Sequence, residues 1–218
     1  MTYNEIRTNQ EIIAYINKGN ANLDVLGYTD HGRAHCVLVL ERAAKILEAF
    51  GFPEHDIELV KIAGFMHDIG NLVNRVDHSQ SGAILAFRIL SNMGMDSKEI
   101  ARIVSAIGNH DEGEGEAVSP LAAALIIADK TDVRYSRVRN LDPSTFDIHD
   151  RVNYSVVKSA LKINEDKTLV KLKLTVDTKF GSVMDYFEIF MGRMQMCRKA
   201  AEKLGLPFKL LINEQQLL

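Results

Sequence analysis

The spacing of apolar side chains predicts helices over the first 135 residues of the chain. Between Val37 and Leu47 apolar residues recur every three or four positions, as on the buried face of an α-helix, and Gly51 ends the run. A shorter helix is predicted around Glu5–Lys18, and Pro53 opens another helix that leads into the sequence HDIGN. The amino-terminal part therefore has the pattern of a helical bundle.

Capping signals indicate where three further helices begin. Two aspartates are each followed three positions later by Gln or Glu, which is the spacing of a capping residue and its reciprocal partner. These pairs are Asp77 with Gln80 and Asp96 with Glu99. Ser119-Pro120 opens the segment LAAALIIAD, which is apolar on every side. A helix without a polar face must be enclosed by others, so we expect this segment to be the most buried helix.

The pattern changes after residue 140. The segment LDPSTFDIHD, which contains His149 and Asp150, is predicted to be a linking loop. Alternation of apolar and polar residues then predicts two strands, followed by a helix and a short third strand. These elements cover Asn153–Ile163, Thr168–Asp177, Met184–Leu204 and the sequence FKLLI. We therefore expect a mainly α protein, in which residues 1–140 form a helical domain. Residues 141–218 would form a small α+β extension of about three antiparallel strands and a helix, packed on that domain.

The composition excludes several classes of protein. A net charge of −3 argues against a general nucleic-acid binder. The polar first residues, MTYNEIRTNQ, lack the apolar core of a signal peptide, and no uncharged apolar run approaches the ~20 residues that span a bilayer. Cys36 and Cys197 are the only cysteines, so we expect neither a disulfide framework nor a CxxC zinc motif. A cytoplasmic protein without a membrane or nucleic-acid polymer partner fits best.

Polar side chains with metal-binding chemistry occur where apolar helices end. Asp129 lies three residues after Ile126 in the most apolar helix. Burying a carboxylate there is costly unless it meets a cation or a metal ion, although a hydrogen-bonded aspartate at a helix end explains it equally well. His67 and Asp68 follow the apolar face of another helix. Because neighbouring helical residues diverge by about 100°, both can face one ion only if the helix bends or ends there, and Gly70 suits an ending.

A single HD dipeptide is weak evidence, since the sequence contains three of them. The combination is stronger, because five helices each present a histidine or an aspartate where an apolar face meets a loop. These residues are His35, His67 with Asp68, His78, His110 and Asp129, and the other dipeptides are His110-Asp111 and His149-Asp150. Each histidine alone has a structural explanation. Together, imidazole and carboxylate predict a site for Zn, Fe, Mn, Co or Ni rather than Ca.

The order of these residues resembles the HD-domain superfamily of metal-dependent phosphohydrolases. The resemblance covers about residues 28–133, in the segments HGRAHCVLV, FMHDIGN, DHSQSGA, IGNHDE and ADKTD. It implies the helical bundle of an HD domain, with a minimal metal set of His35, His67, Asp68 and Asp129. The extra positions of binuclear members are matched by His78 and His110. The resemblance thus implies two divalent ions, with Mg as a further candidate metal. His31, one helical turn before His35, is the rival for the first ligand position.

Three positions depart from the HD-GYP branch of that superfamily, which hydrolyses cyclic di-GMP. Where that branch has a lysine after HDIG this chain has Asn71, its histidine pair is replaced by His110-Asp111, and no GYP follows. These departures disfavour classical cyclic di-GMP hydrolysis. The resemblance therefore implies a phosphomonoesterase or phosphodiesterase acting on a nucleotide or another small phosphoester.

The resemblance also implies roles for individual residues. The nucleophile would be a metal-activated hydroxide, bridging the ions if two are present. Asp68 is the natural bridging carboxylate, and His31 or Asp111 could orient a ligand or pass a proton. Four residues near the ligands are candidates for binding the substrate phosphate, although surface exposure would explain each cation equally well. They are Arg33, Arg75, Lys130 and Asn71.

The sequence alone is consistent with two other functions. Some relatives with a di-iron HD site are oxygenases, and a module that kept its metal but lost catalysis could regulate a partner through its C-terminal sheet. The methionines of the last helix fill gaps in a core or in a dimer seam, so a homodimer is also open. All of these alternatives predict a bound transition metal.

Overall fold

The first 130 residues fold into seven helices in the computed structural model, which describes residues 1–113 and 115–218. The helices are α1 (Tyr3–Thr8), α2 (Gln10–Val25), α3 (Arg33–Ala49), α4 (Glu54–Met66), α5 (His78–Asn92), α6 (Ser97–Gly108) and α7 (Pro120–Lys130). The single helix predicted around Glu5–Lys18 is therefore wrong, because α1 and α2 divide this segment. They separate at Asn9, whose side chain accepts hydrogen bonds from two N–H groups in the first turn of α2 and caps that helix.

Two of the three predicted capping residues are confirmed. Asp96 and Ser119 accept hydrogen bonds from N–H groups in the first turns of α6 and α7. Asp77 does not cap α5, because its backbone has a φ of 56°, in the left-handed region. A capping side chain reaches the first-turn amides from an extended backbone, which Asp77 lacks. Its predicted partner Gln80 instead donates a hydrogen bond of 2.8 Å to the carbonyl oxygen of Gly108.

Helix α7 lies at the centre of the bundle. All residues from Leu121 to Ala128 are buried, as the apolar sequence predicts. The helix packs against α3, α4 and α6, and also against α9 (Val183–Lys203) from the C-terminal part. Because α7 is enclosed by these neighbours, its last residues, Asp129 and Lys130, are held in the interior of the protein.

The C-terminal part, within residues 115–218, contains a mixed four-stranded sheet with its strands in chain order. Its elements are α8 (Ile148–Ser155), β1 (Val156–Ile163), β2 (Val170–Val176), the helix α9, β3 (Phe208–Ile212) and β4 (Gln215–Gln216). The β1–β2 and β3–β4 pairs are antiparallel, whereas β2 and β3 are parallel. The prediction of about three antiparallel strands is therefore corrected to four strands with one parallel pair. The parallel pair arises because α9 crosses over between β2 and β3 and returns the chain in the same direction.

The segment around His149 and Asp150 is helical, and its prediction as a loop is wrong. The side chain of Asp147 accepts a hydrogen bond from the backbone N–H of Asp150 and caps α8. For the same reason β1 begins at Val156 rather than at Asn153. The periodicity missed this helix because its eight residues complete only about two turns.

Helix α9 connects the sheet with the bundle. It packs on both α7 and α8, and the hydroxyl of Ser159 in β1 donates to the carbonyl oxygen of Thr131 at the end of α7. The predicted fold class is confirmed, since a mainly helical protein carries a small C-terminal α+β part. The division at residue 140 stays a prediction. Across residues 1–113 and 115–218, no helix has both the length and the apolar character needed to cross a membrane.

Gly64 marks a close approach of α4 to α3. A Cβ atom there would lie 2.8 Å from Leu40 Cα and 3.0 Å from the Leu40 backbone nitrogen. Gly64→Ala should therefore push the helices apart and lower the free energy of unfolding by about 1–3 kcal/mol. Gly192 is exposed on α9 with no neighbouring atom within 4 Å of the added Cβ, so Gly192→Ala should raise that free energy by up to about 1 kcal/mol. Urea unfolding measures both effects, and a Gly64→Ala protein as stable as the wild type would contradict the close packing.

Candidate metal centre

The end of α4 brings His67 and Asp68 to the same side of the backbone. Helix α4 ends at Met66, and a short 3₁₀ turn follows at Ile69–Leu72. Asp68, with φ −95° and ψ 6°, connects the two, so the usual divergence of helical neighbours does not apply. Gly70 allows this turn to lie directly against α5, because a Cβ there would collide with the carbonyl oxygen of His78.

Four side chains converge at this point to form a first ligand cluster. The Nε2 atoms of His35 and His67 are 3.2 Å apart. Asp129 Oδ1 lies 3.3 Å from His35 Nε2 and 3.7 Å from His67 Nε2. Asp68 Oδ2 lies 3.6 Å and 3.3 Å from the same two nitrogens. The cluster therefore joins residues from α3, from the end of α4 and from the end of α7.

A second cluster lies on the other side of the Asp68 carboxylate. The Nε2 atoms of His78 and His110 are also 3.2 Å apart. Asp68 Oδ1 lies 3.3 Å from His78 Nε2 and 3.9 Å from His110 Nε2. One carboxylate thus faces two imidazole pairs, with one oxygen directed at each pair.

Hydrogen bonds fix the orientation of all four imidazole rings. The Nδ1 atom of each ring faces an oxygen at 2.6–3.0 Å: Asp132 Oδ2 for His35, and the carbonyl oxygens of Gly64, Arg75 and Ile107 for His67, His78 and His110. Each Nδ1–H therefore donates, and in the neutral ring Nε2 presents its lone pair to the cluster. Two lone pairs 3.2 Å apart repel each other unless a cation lies between or beside them.

The donor set fits a divalent metal ion. The Oδ2 atom of Asp68 is buried and has no hydrogen-bond partner among the described residues. A buried carboxylate oxygen without a partner is costly, and a metal ion beside converging imidazole nitrogens would satisfy it. Among the described residues, ligand atoms within 4.8 Å of one another occur in two groups: His35, His67 and Asp129, and His67, Asp68 and His110. Because both groups contain His67, whose only free nitrogen is Nε2, that residue could serve the ligand set of one group alone.

The local charges favour ionised carboxyl groups and a neutral His110, as metal binding requires, but they favour the protonated form of His67. Burial would raise the pKa of the two carboxyl groups, but His67 beside Asp68 and Lys130 beside Asp129 hold both pKa values well below their usual range. Burial, together with the charge of His67, holds the pKa of His110 well below its ordinary value. For His67, burial lowers the pKa but the two carboxylates outweigh it and raise the pKa. Ionised carboxylates and neutral imidazole are the forms that bind metals.

A small polar recess lies beside the two clusters and opens into a larger cavity. The recess is lined by His31, Asp68, Arg75, His78, Asp129, Lys130, Arg137 and Arg193. The outer cavity has a volume of about 340 Å³ and shares His31, Arg75, Arg137 and Arg193 with the recess. Residues of the 26–29 loop and of α8 complete the wall of the outer cavity. The ligand clusters are therefore accessible from one polar side.

Three further predicted residues lie around the recess. His31 donates from Nδ1 to the carbonyl oxygen of Thr29 at 2.7 Å, and burial, aided by Arg137, holds its pKa well below the ordinary value. It lies outside the first cluster, to which α3 contributes His35. Lys130 Nζ lies 2.9 Å from Asp129 Oδ2, although adjacent helical residues usually point apart. Asp111 lies 3.4 Å from that Nζ and 4.0 Å from His78 Nδ1.

Two of the predicted phosphate-binding residues lie elsewhere. Arg33 is exposed at the start of α3, lines neither the recess nor the outer cavity, and acts electrostatically on Tyr3 of α1. Asn71 is buried against Gly19 of α2, and its amide atoms have no hydrogen-bond partner among the described residues. Arg75 is the remaining member of the predicted set, and it does line the recess.

Several residues of this site were not predicted from the sequence. Asp132 follows Asp129 by three positions after an apolar helix, and the cost of burying its carboxylate was a usable signal. Arg137, Arg193 and Glu112 carried no such signal, because their positions depend on contacts between distant segments. Glu112 accepts from Arg193 Nε at 2.7 Å and faces Lys130 Nζ at 2.6 Å, and thus connects α9 with the end of α7.

Glu112 should contribute stability that depends on pH. Burial opposes ionisation of this group, but Lys130 and Arg193 outweigh it and hold its pKa far below the ordinary 4.5. A carboxyl group with a lowered folded-state pKa stabilises the protein above its unfolded pKa and loses that effect as the pH falls. Glu112→Gln should therefore be less stable than the wild type at pH 7, with the difference shrinking below about pH 4.5. Thermal unfolding from pH 7 to pH 3, with the exposed Glu188→Gln as control, measures this. A difference independent of pH would contradict it.

Comparison with known proteins links the region of these clusters to a characterised family. Residues 32–134 match the model of the HD domain. The chain is 27% identical over 193 residues to the uncharacterized protein MJ1020 of Methanocaldococcus jannaschii, an alignment that covers 78% of this chain and 74% of that protein. It is also similar to the crystal structure of a predicted HD superfamily hydrolase from an uncultured Thermotogales bacterium. That similarity has a TM-score of 0.46 and 26% identity, and covers 57% of this chain and 68% of the other.

Proposed function

Residues 32–134 make this chain an HD-domain protein, and on that premise we propose that it is a metal-dependent phosphohydrolase with two divalent ions. Its substrate would be a nucleotide or another small phosphoester, cleaved as a monoester or a diester. Membership of this family supports metal-dependent hydrolysis in general. The more specific proposal depends on the geometry of this chain.

The observation that carries the proposal is the position of Asp68 between two imidazole pairs. Each pair has Nε2 atoms 3.2 Å apart and faces a different oxygen of the same carboxylate. A single ion would satisfy only one pair, and the other cation beside the second pair is the guanidinium of Arg75, 3.1 Å from His78 Nε2. A second ion between His78, His110 and Asp68 would satisfy both lone pairs, so two ions suit the arrangement. Four imidazoles with two carboxylates favour Fe, Mn, Co, Ni or Zn, and Mg is a weaker candidate because it prefers oxygen ligands.

The residues of the site would have distinct roles in hydrolysis. Bound divalent ions lower the pKa of water from 15.7 towards 7 and stabilise charge on phosphate oxygens. Asp68 would bind both ions. Asp132 fixes the ring of His35 through the 2.8 Å contact with its Nδ1. His31 is held neutral, and its Nε2 could accept a proton beside the recess. Asp111 could orient His78 or take part in proton transfer.

The recess and outer cavity support a small phosphorylated substrate. Arg75 and Arg137 lie at their junction and could contact phosphate oxygens. The volume of about 340 Å³ is within the range of small-molecule sites. Beyond the arginines, α8 presents His149 and Asp150, which could bind hydroxyl or amino groups of the organic part.

The test begins with metal content. Purified wild-type protein reconstituted with Mn, Fe, Co, Ni, Zn or Mg should bind two ions per chain with at least one of these metals, as measured by mass spectrometry. His110→Ala should lose one ion, and Asp68→Ala should lose both. His55→Ala is the matched control, because His55 is exposed and pairs with Glu99 away from the site. Wild-type protein that binds no metal would contradict the proposal.

Each metal-loaded form is then assayed against phosphomonoesters and phosphodiesters of nucleosides and sugars. We expect turnover with at least one substrate class and its loss in Asp68→Ala. Oxygen consumption by the iron-loaded protein without phosphoester turnover would indicate an oxygenase instead. A two-ion protein that neither hydrolyses phosphoesters nor consumes oxygen would indicate a regulatory module.

Asp132→Asn should weaken metal binding without removing a ligand. Asp132 is fully buried and fixes the orientation of the His35 ring, and loss of such support typically lowers metal affinity about 10–100-fold. Competition with a chromogenic chelator measures the affinity. Asp56→Asn is the control, since Asp56 pairs with Arg102 at the surface. Equal affinities of Asp132→Asn and wild-type protein would mean that Asp132 does not support the ligand.

A further inference from the structure

Helix α9 brings a cation to the candidate metal centre from outside the HD domain. Arg193 lines both the polar recess, with Asp68 and Asp129, and the outer cavity. Because the HD domain covers residues 32–134, this arginine comes from the C-terminal part of the chain. The C-terminal part is therefore in a position to complete the substrate site.

The side chain of Arg193 is held in a fixed orientation. Its Nε donates to Glu112 Oε1 at 2.7 Å, and its guanidinium carbon lies 4.5 Å from the centre of the Phe190 ring. Within residues 1–113 and 115–218, no group accepts a hydrogen bond from its two terminal nitrogens. A fixed guanidinium thus has unused donors at the wall of the recess, which is the geometry that binds phosphate oxygens in a forked manner.

The need to neutralise Glu112 does not by itself explain the position of Arg193. Lys130 Nζ already lies 2.6 Å from the other oxygen of Glu112, so the carboxylate has a cationic partner without Arg193. Lys130 in turn is surrounded by Asp129, Glu112 and Asp111 and has little charge left for a ligand. An anion in the recess could accept from the terminal nitrogens of Arg193 while Nε keeps its contact with Glu112.

We propose that Arg193 of α9 is a phosphate-binding residue of the active site. It would act with Arg75 and Arg137 at the junction of the recess and the outer cavity, while Glu112 and Phe190 position its guanidinium. This inference rests on the proposed phosphohydrolase function, and it assigns part of substrate recognition to the segment beyond the HD domain.

The test is direct binding of inorganic phosphate to the metal-loaded full-length protein, measured by titration calorimetry. Arg193→Gln should bind phosphate about ten- to a hundred-fold more weakly than the wild type, the size expected for losing hydrogen bonds from a charged group. Arg193→Lys keeps the charge beside Glu112 but loses the fork, so it should lie between the two. Arg198→Gln is the matched control, since Arg198 is exposed on the same helix and contacts Glu202 at 3.9 Å. It should bind phosphate as the wild type does.

Metal content and thermal unfolding, measured on each variant, separate the possible failures. Wild-type protein without metal would contradict the proposed function. Metal-loaded wild type that binds no phosphate, or Arg193 variants that bind it as tightly as the wild type, would overturn the role of Arg193 and leave the metal centre intact. If Arg193→Gln does not fold, the comparison of Arg193→Lys with the wild type decides, and equal affinities there would overturn the proposal.

Discussion

The contact on which the site depends is the one between the Asp68 carboxylate and the imidazoles on either side of it. Its two oxygens face different pairs of histidines at 3.3–3.9 Å, and one oxygen is buried without a hydrogen-bond partner among the described residues. Such a group is costly in a protein interior unless cations surround it. The ends of α4 and α7, the starts of α3 and α5, and the end of α6 all meet at this carboxylate. The positions of these five helix ends therefore decide how this buried charge is satisfied.

Ion pairs around the candidate ligands compensate the buried charges of the site. Asp132 supports the His35 ring and accepts from Arg134 Nε at 2.7 Å. Lys130 compensates Asp129, and Glu112 joins Lys130 to Arg193 on α9. Removing Lys130, for example, would take away the nearest cation of the Asp129 carboxylate, and breaking such a pair is usually more costly than the pair itself is favourable. The same network connects the end of α7 to α9, so the C-terminal part contacts charged groups that lie beside the two clusters.

The sequence predicted those elements whose formation depends on residues close together in the chain. The caps at Asp96 and Ser119 and the buried α7 follow from side-chain chemistry within a few residues. The predicted cap at Asp77 does not form, because Asp77 has a left-handed backbone in the turn after HDIG. The combination of histidines and aspartates, with the family resemblance, predicted side chains that the fold brings together, and their role as metal ligands stays a prediction. Arg33 and Arg193 show what the sequence cannot predict. Arg33 is near His35 in sequence but away from the recess, whereas Arg193 is far from the candidate ligands in sequence and lines the recess. Only contacts between distant segments decide such cases.

The most direct test of the central claim is a crystal structure of the metal-loaded protein with anomalous scattering data collected at the absorption edge of the bound metal. Two strong peaks about 3.5–4 Å apart are expected on either side of the Asp68 carboxylate. One should lie beside His35, His67 and Asp129, and the other beside His78 and His110. A single peak, or peaks located away from Asp68, would contradict a two-ion centre organised by this residue.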